Sequence, residues 1–552
     1  MKVSFSRVLG LCTLLLFSFS IVSIAQDEPV KDWFSLDATD GYMGVSNEKA
    51  YKTVLKGKSS RTVIVAVIDS GVDREHEDLK EVMWVNTDEI PDNGKDDDNN
   101  GYIDDINGWN FLGNKDGRNV EHENLEVTRL YAKYHKIFKD MDESQVSKKQ
   151  KKEFKLYQKV KKEVEEKRGN AEKSLAEFEG QIPFLNGALD AFQEVLGDKE
   201  FTKANIEALE IPDDNQAAGI GRQILLSVMA QGLSVESIDG LKKVFNSEGD
   251  HYRNQAQYMY NPDFDSRDIV GDNYADSYEK GYGNGDIKGP DSHHGTHVAG
   301  IIGANRRNEI GMKGVADNVQ IMGIRVLADG DERDKDVANA IIYAVDNGAQ
   351  VINMSFGKGY SWDKKAVDKA VRYACKKDVL LVHAAGNDGK NNDTSDNFPN
   401  DGYEKKKLFG SKVAKNWIEV GALNWKQGED SPAPFSNYGK DQVDVFAPGM
   451  AIYSTTPENT YEFQQGTSMA SPVVAGVAAL LRSYYPTLSA TQVKDIIMKS
   501  SVPINQQVTK PGSEEKVPFR ELSVSGGTIN AYNAVKLAER TKGKKKLKKN
   551  KA

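Results

Sequence analysis

Two hydrophobic patterns alternate along the chain. Thr62–Ile68 is an unbroken apolar run rich in β-branched residues, which predicts a strand buried on both faces of a parallel sheet. Strand-like runs recur at Val319–Val326, Val351–Met354, Val379–Ala384, Trp417–Ala422 and Val443–Phe446, with helix-like stretches at Asp334–Asn347 and Trp362–Lys377 between them. The alternation predicts an α/β fold built on a doubly wound, mostly parallel sheet. Strand order is not readable from the pattern. Two more helices are expected near the end, one rich in small and apolar residues through Val473–Leu481 and one over Ala490–Ser500.

The second pattern fills Lys115–Gly285. Leu130, Tyr134, Ile137 and Phe138 share one helical face, as do Phe154, Tyr157, Val160 and Val164, with charged residues between them. Further helical stretches lie near Ile182–Leu196 and Ala217–Val244. The predicted organisation is a discontinuous main domain, 26–114 and 286–540, interrupted by a helical insertion, 115–285.

Composition adds limits rather than detail. At 552 residues and 39% hydrophobic content, the chain can bury a large core and exceeds what one compact domain needs. A net charge of −9 argues against nucleic acid as a partner, because phosphate binding needs a basic field. Residues 1–25 carry Lys2 and Arg7, the apolar run Val8–Ile24 and small residues at its end, which reads as a secretory signal peptide. An uncleaved anchor is the alternative; the run is marginally short for a bilayer. No membrane span is expected once the signal is removed, and the address is periplasmic, cell-surface or secreted. Cys12 lacks the preceding small residue of a lipoprotein signal. Cys375 is then the only cysteine left, which rules out an intrachain disulfide, and its helical setting reads as a buried thiol. The tail 541–552 holds seven lysines between Lys542 and Lys551 and reads as a solvated tail rather than a binding site.

The candidate chemistry sits in separated motifs. Asp69 ends the first strand, in Asp69-Ser70-Gly71, and open α/β sheets collect chemistry at the carboxyl ends of strands. His294 opens a run with small residues at Gly295, Ala299, Gly300 and Gly303, able to press closely on a sheet. Ser468 follows Gly466-Thr467 at a helix start, with Pro472 in the opening turns. A serine hydroxyl becomes nucleophilic when a base takes its proton and a third group orients that base. Either turn alone is ordinary turn chemistry.

Together and in the order Asp, His, Ser, these motifs resemble the subtilisin-like serine peptidases. Ala384-Ala385-Gly386-Asn387-Asp388-Gly389 resembles the family's oxyanion segment, and Val351-Ile352-Asn353-Met354-Ser355-Phe356-Gly357 its substrate-binding strand. Phe435–Gly439, Phe446–Gly449 and Gly526–Tyr532 resemble further landmarks of the family. The resemblance implies a subtilisin-type fold and an exported endopeptidase acting on protein or peptide substrates without a catalytic cofactor. It implies Ser468 as nucleophile, His294 as base, Asp69 as its orienting partner, the Asn387 amide as oxyanion donor, and Ser355, Phe356 and Gly357 as substrate contacts. A processing protease restricted by the insertion, or a silent binding protein, are the competing readings. Oligomeric state is not legible.

The chain also departs from the family. Asp69 and His294 are 225 positions apart where a few tens are usual, and the resemblance does not cover the insertion. Between Gln26 and Arg61 there is too little chain for a separate folding propeptide, and none remains for a further domain after the last helix. Asp96, Asp98, Asn100 and Asp104, with Gly101, match several positions of a calcium-loop template, but Asn107 stands where the template wants glutamate. A structural calcium and a solvated acidic turn are both open. His294 and His297, spaced i, i+3, do not match a zinc-protease helix, which needs i, i+4 and a glutamate. His297 is read as packing.

Overall fold

The computed structural model describes residues 29–230, 235–404 and 411–545. The expected signal peptide, 1–25, and the lysine-rich tail beyond residue 545 lie outside the described residues. The chain divides into two compact units, one formed by Met141–Asn261, the other by Pro29–Asp140 together with the chain from Pro262 onward.

The larger unit is organised on β1 (Val63–Asp69), as its two-sided apolar pattern requires. Val63, Val65 and Val67 point into one core with the helices His293–Gly303 and Thr467–Tyr484. Ala66 and Ile68 point into a second, with Asp334–Asp346 and Lys364–Lys376. The other strands are β2 (Gly108–Asn110), β3 (Val319–Arg325), β4 (Val351–Met354), β5 (Leu380–Ala384), β6 (Trp417–Leu423), β7 (Val445–Pro448), the hairpin β8 (Ile452–Thr456) and β9 (Thr460–Gln464), β10 (Val502–Pro503), the pair β11 (Gln507–Thr509) and β12 (Lys516–Pro518), and β13 (Gly527–Thr528). The main sheet has nine strands in the order β10-β13-β7-β6-β5-β4-β1-β3-β2, parallel except for β10 against β13. β1 therefore lies between β3 and β4, at the point where the strand order reverses. In open α/β sheets the carboxyl ends of the strands at such a point form a crevice.

The segment before β1 is built into this core. Trp33 and Phe34 are buried, Trp33 Nε1 donates to the Ala451 carbonyl at 2.8 Å, and Ala531 N donates to the Val45 carbonyl at 2.7 Å.

The smaller unit is helical. Lys151–Leu196 is one continuous 46-residue helix, where sequence alone suggested separate pieces, and it runs through Pro183. The proline denies the Glu179 carbonyl its helical partner, but both residues are exposed and water can satisfy that oxygen. Leu185, Leu189 and Phe192 pack there with Ile224, Leu225 and Leu241 from Gln216–Ala230 and Ile238–Asn254. The stretch expected as one helix from Ala217 to Val244 is these two helices, with 231–234 between them outside the described residues. The ends of the expected insertion, 115–140 and 262–285, fold with the larger unit because their charged residues are buried against it.

Candidate active site

β1 and β3 pair so that Asp69 ends the strand beside the crevice, with its backbone carbonyl accepting from Val326 N and Leu327 N. Its buried side chain accepts the Ser70 N–H at 2.8 Å and the His294 Nδ1–H at 2.6 Å, both on Oδ1. A carboxylate only accepts, which puts the imidazole hydrogen on Nδ1 and leaves the Nε2 lone pair free as a base. Burial lowers the His294 pKa, but the Asp69 charge and hydrogen bond outweigh it, with Asp291 adding, and the net shift is upward from 6.5. The close approach needs Gly295: a Cβ there would stand 2.1 Å from the Gly71 carbonyl oxygen.

Ser468 is the second residue of the helix Thr467–Tyr484, whose cap Gly466 holds φ at +152°. At that position its N–H has no helical acceptor and points out of the helix N-terminus, where negative charge is favoured. Pro472 lies four residues on and has no N–H to give the Ser468 carbonyl. Ser355 Oγ supplies that bond instead, at 2.8 Å, and Ser468 Oγ donates back to the Ser355 carbonyl at 3.1 Å. Beneath them Asn353 Nδ2 donates to Ser355 Oγ at 2.9 Å, and Ser471 Oγ donates to Asn353 Oδ1 at 2.7 Å. The turn that carries Ser468 is thus tied to β4 through hydrogen bonds. Ser468 Oγ bonds the Ser355 carbonyl rather than His294 in this conformation, and would reach Nε2 only by swinging away from it.

Asn387 follows β5. Its Oδ1 accepts from Thr467 N at 2.8 Å and Thr467 Oγ1 at 3.0 Å, which fixes the amide and leaves Nδ2 as a donor on the Gly466–Ser468 side. Thr467 Oγ1 in turn accepts from Gly386 N at 3.1 Å. Asn437 Oδ1 accepts from Asp388 N and Lys390 N, holding the same loop from behind. Of the expected substrate contacts, Gly357 is exposed, while the Ser355 and Phe356 side chains are buried, leaving backbone as what they offer a ligand.

His297 is wholly buried, with its pKa pushed down to about 3 chiefly by that burial. Its Nε2–H donates to the Glu462 carbonyl at 3.1 Å. The acidic loop differs from the template. Asp96 and Asp98 gather with Glu89, which sequence reasoning missed, into a group close enough to share a cation. Asn100 lies beside this group, its Nδ2 donating to Asp98 Oδ2 at 3.0 Å, while the Asp104 carboxylate accepts from Asn93 N and Gly94 N. Cys375 is only partly buried, and burial raises its thiol pKa. Arg325, in register with Asp69, was also not foreseen; it is buried and donates to the Ser70 carbonyl at 2.9 Å.

Residues 60–526 match the profile of the subtilase family, Peptidase S8. The chain belongs to the subtilase family. Subtilases similar to it include a thermophilic serine proteinase of Bacillus sp. strain AK1, 38% identical over 50% of this chain and 58% of that protein. Subtilisin DY of Bacillus licheniformis is 44% identical over 37% of this chain and 68% of its own. Thermitase of Thermoactinomyces vulgaris is 37% identical over 44% and 74%. The chain thus spans less than two thirds of the Bacillus proteinase. Among solved structures, a protease from Pseudoalteromonas arctica is 30% identical over 44% of this subtilase and 70% of that chain, with a TM-score of 0.36. Among the described residues, no helix is long and apolar enough to cross a membrane.

Proposed function

We propose that this subtilase is an exported serine endopeptidase that cleaves peptide bonds through an acyl-enzyme on Ser468. The observation that carries the reading is the 2.6 Å contact between His294 Nδ1 and Asp69 Oδ1, which leaves Nε2 as an acceptor for the serine proton. Ser468 Oγ attacks the carbonyl carbon as its proton passes to Nε2, and the imidazolium then protonates the leaving amine. Water hydrolyses the ester by the same route. Charge on the carbonyl oxygen is met by Asn387 Nδ2 and the Ser468 N–H. The peptide lies extended along Ser355–Gly357, where main-chain hydrogen bonds make binding largely indifferent to side chains. Export rests on the charged start and apolar run of residues 2–25. Glu89, Asp96 and Asp98 are the candidate ligands for a structural calcium, their hard oxygens suiting that ion, and no catalytic step uses it.

The test is hydrolysis of unfolded casein by the full chain beside Ser468→Ala and His294→Ala. The reading requires release of acid-soluble peptide by the wild type alone. Undiminished release by Ser468→Ala would remove the proposed nucleophile.

A further inference from the structure

The crevice has two crests, the turn after β3 and the segment after β4, because these strands flank β1. Both crests are held by residues from the ends of the long insertion. Ahead of the helix Glu126–Phe138, Glu123 N donates to the Asp329 carbonyl at 2.9 Å and Glu126 N to Asp331 Oδ2 at 2.8 Å. Arg129 reaches the same turn, donating to the Asp331 and Glu332 carbonyls at 3.1 and 3.0 Å and to Glu126 Oε2 at 2.6 Å. From the other end, Ser266 joins the bidentate pair that Arg333 makes with Glu123 at 2.7 and 2.8 Å.

Lys358 carries this lattice to the second crest. It directly follows Gly357, and its backbone exchanges two 2.9 Å hydrogen bonds with Phe398. Its buried ammonium donates to the Glu332 carbonyl at 2.6 Å and pairs with Asp334 at 2.8 Å and Glu126 at 3.6 Å. Burying so many charges is costly, and an apolar replacement of similar volume would serve stability as well. Ionic pairs do fix distance and direction more sharply than apolar contacts. Burial pushes the Glu332 carboxyl up, against the pull of Lys358 and with the push of Asp331.

We infer that Glu126, Arg129 and Lys358 are positioning residues that set the spacing of the two crests, and with it the grip on a peptide lying several residues along Ser355–Gly357. The inference rests on the proposed reading of Ser468. A peptide strand between the crests must meet its main-chain partners on both sides, and a crest displaced by an ångström loses them. A small acylating reagent needs only the triad.

The test compares wild type with Lys358→Met, which keeps the aliphatic stem and loses the charge, with Glu126→Gln, and with Lys358→Arg as the charge-restoring variant. Each is assayed for the rate at which a fluorophosphonate probe modifies Ser468 and for kcat/KM on a single-residue amide and on a six-residue peptide amide. Expected is an unchanged labelling rate and short-amide rate, with kcat/KM for the long peptide down about 10- to 100-fold through KM, since misplacement of ~1 Å remote from the chemistry has that reach. Lys358→Arg should recover part of the loss. Equal losses on all three readouts, or none on the long peptide, would overturn the inference. Should Lys358→Met not fold, Glu126→Gln is read by the same criteria, and failure of both to fold assigns the cluster to stability alone and also overturns it. Wild type that neither labels nor cleaves would instead defeat the reading beneath it, before any variant is compared.

Discussion

The two sides of the crevice are built from opposite materials. Around Ser468 the parts are small and neutral: Asn353, Ser355, Asn387, Thr467 and Ser471, bonded amide to hydroxyl inside an apolar shell. Around Lys358 and Arg129 the parts are long and charged, and hold the insertion's ends to the turn after β3. Neutral hydrogen bonds hold the turn of Ser468, so that the charge beside it is that of Asp69 on His294, whereas on the proposed reading the ionic lattice touches none of the reacting groups and fixes the flanking segments. Substitutions on the first side should therefore alter turnover, and those on the second should alter stability or substrate range.

The largest predicted break in this comparison is Glu123→Gln. It leaves Arg333 buried without its bidentate partner, which costs about 3–5 kcal/mol in urea unfolding while kcat on a small amide holds. Arg333 and Arg129 overcome the burial cost and hold the Glu123 carboxyl down at about 2. Because the folded pKa is depressed, this stability is present above the ordinary 4.5 and is lost as pH falls toward 2, a dependence the glutamine variant should lack. Next is Asn387→Ala, expected to lower kcat about 10²- to 10³-fold with KM little changed, the magnitude known for the matching change in subtilisin. A stability loss without a kcat loss would move Asn387 to the other side of the comparison.

Thr467→Val should be milder. Removing a hydroxyl that bonds Asn387 Oδ1 and Gly386 N costs ~1–2 kcal/mol, about tenfold in kcat, without shifting the unfolding midpoint by more than that amount. The smallest effect expected is in the pH profile. Catalysis needs neutral His294, so activity is present above its raised pKa and lost as pH drops through it, with the acid limb lying above 6.5. Asp291→Asn keeps the cap on His293 N and removes one charge that raises His294, and should slide that limb slightly to lower pH.

The same contrast explains what was legible in the sequence. The triad positions stand in short contiguous motifs, and β1 declares itself through its apolar run, so the fold class and the candidate residues could be named before any contact was known. Thr467, Asn353 and Ser471 lay inside or beside those motifs but looked like ordinary turn or strand residues, because their roles depend on partners 80 and 118 positions away in the chain. The ionic lattice was invisible for a stronger reason. Arg333 and Glu123 are 210 positions apart, and charged residues at such spacing read as surface. The helix signal of Leu130, Tyr134 and Phe138 placed that segment inside the insertion, although its buried charges fold it with the larger unit. In the acidic loop the template could not point to Glu89, which lies before its first position and joins Asp96 and Asp98 only in the fold.

The most direct test of the account is to treat the full chain with a fluorophosphonate, digest it with a second protease and locate the adduct by mass spectrometry, alongside His294→Ala. The account predicts one adduct, on Ser468, with labelling of the His294 variant slower by orders of magnitude, since loss of the equivalent group in subtilisin costs about 10⁶-fold in kcat. A folded wild type whose Ser468 stays unmodified, or a His294 variant that labels at the wild-type rate, would contradict it.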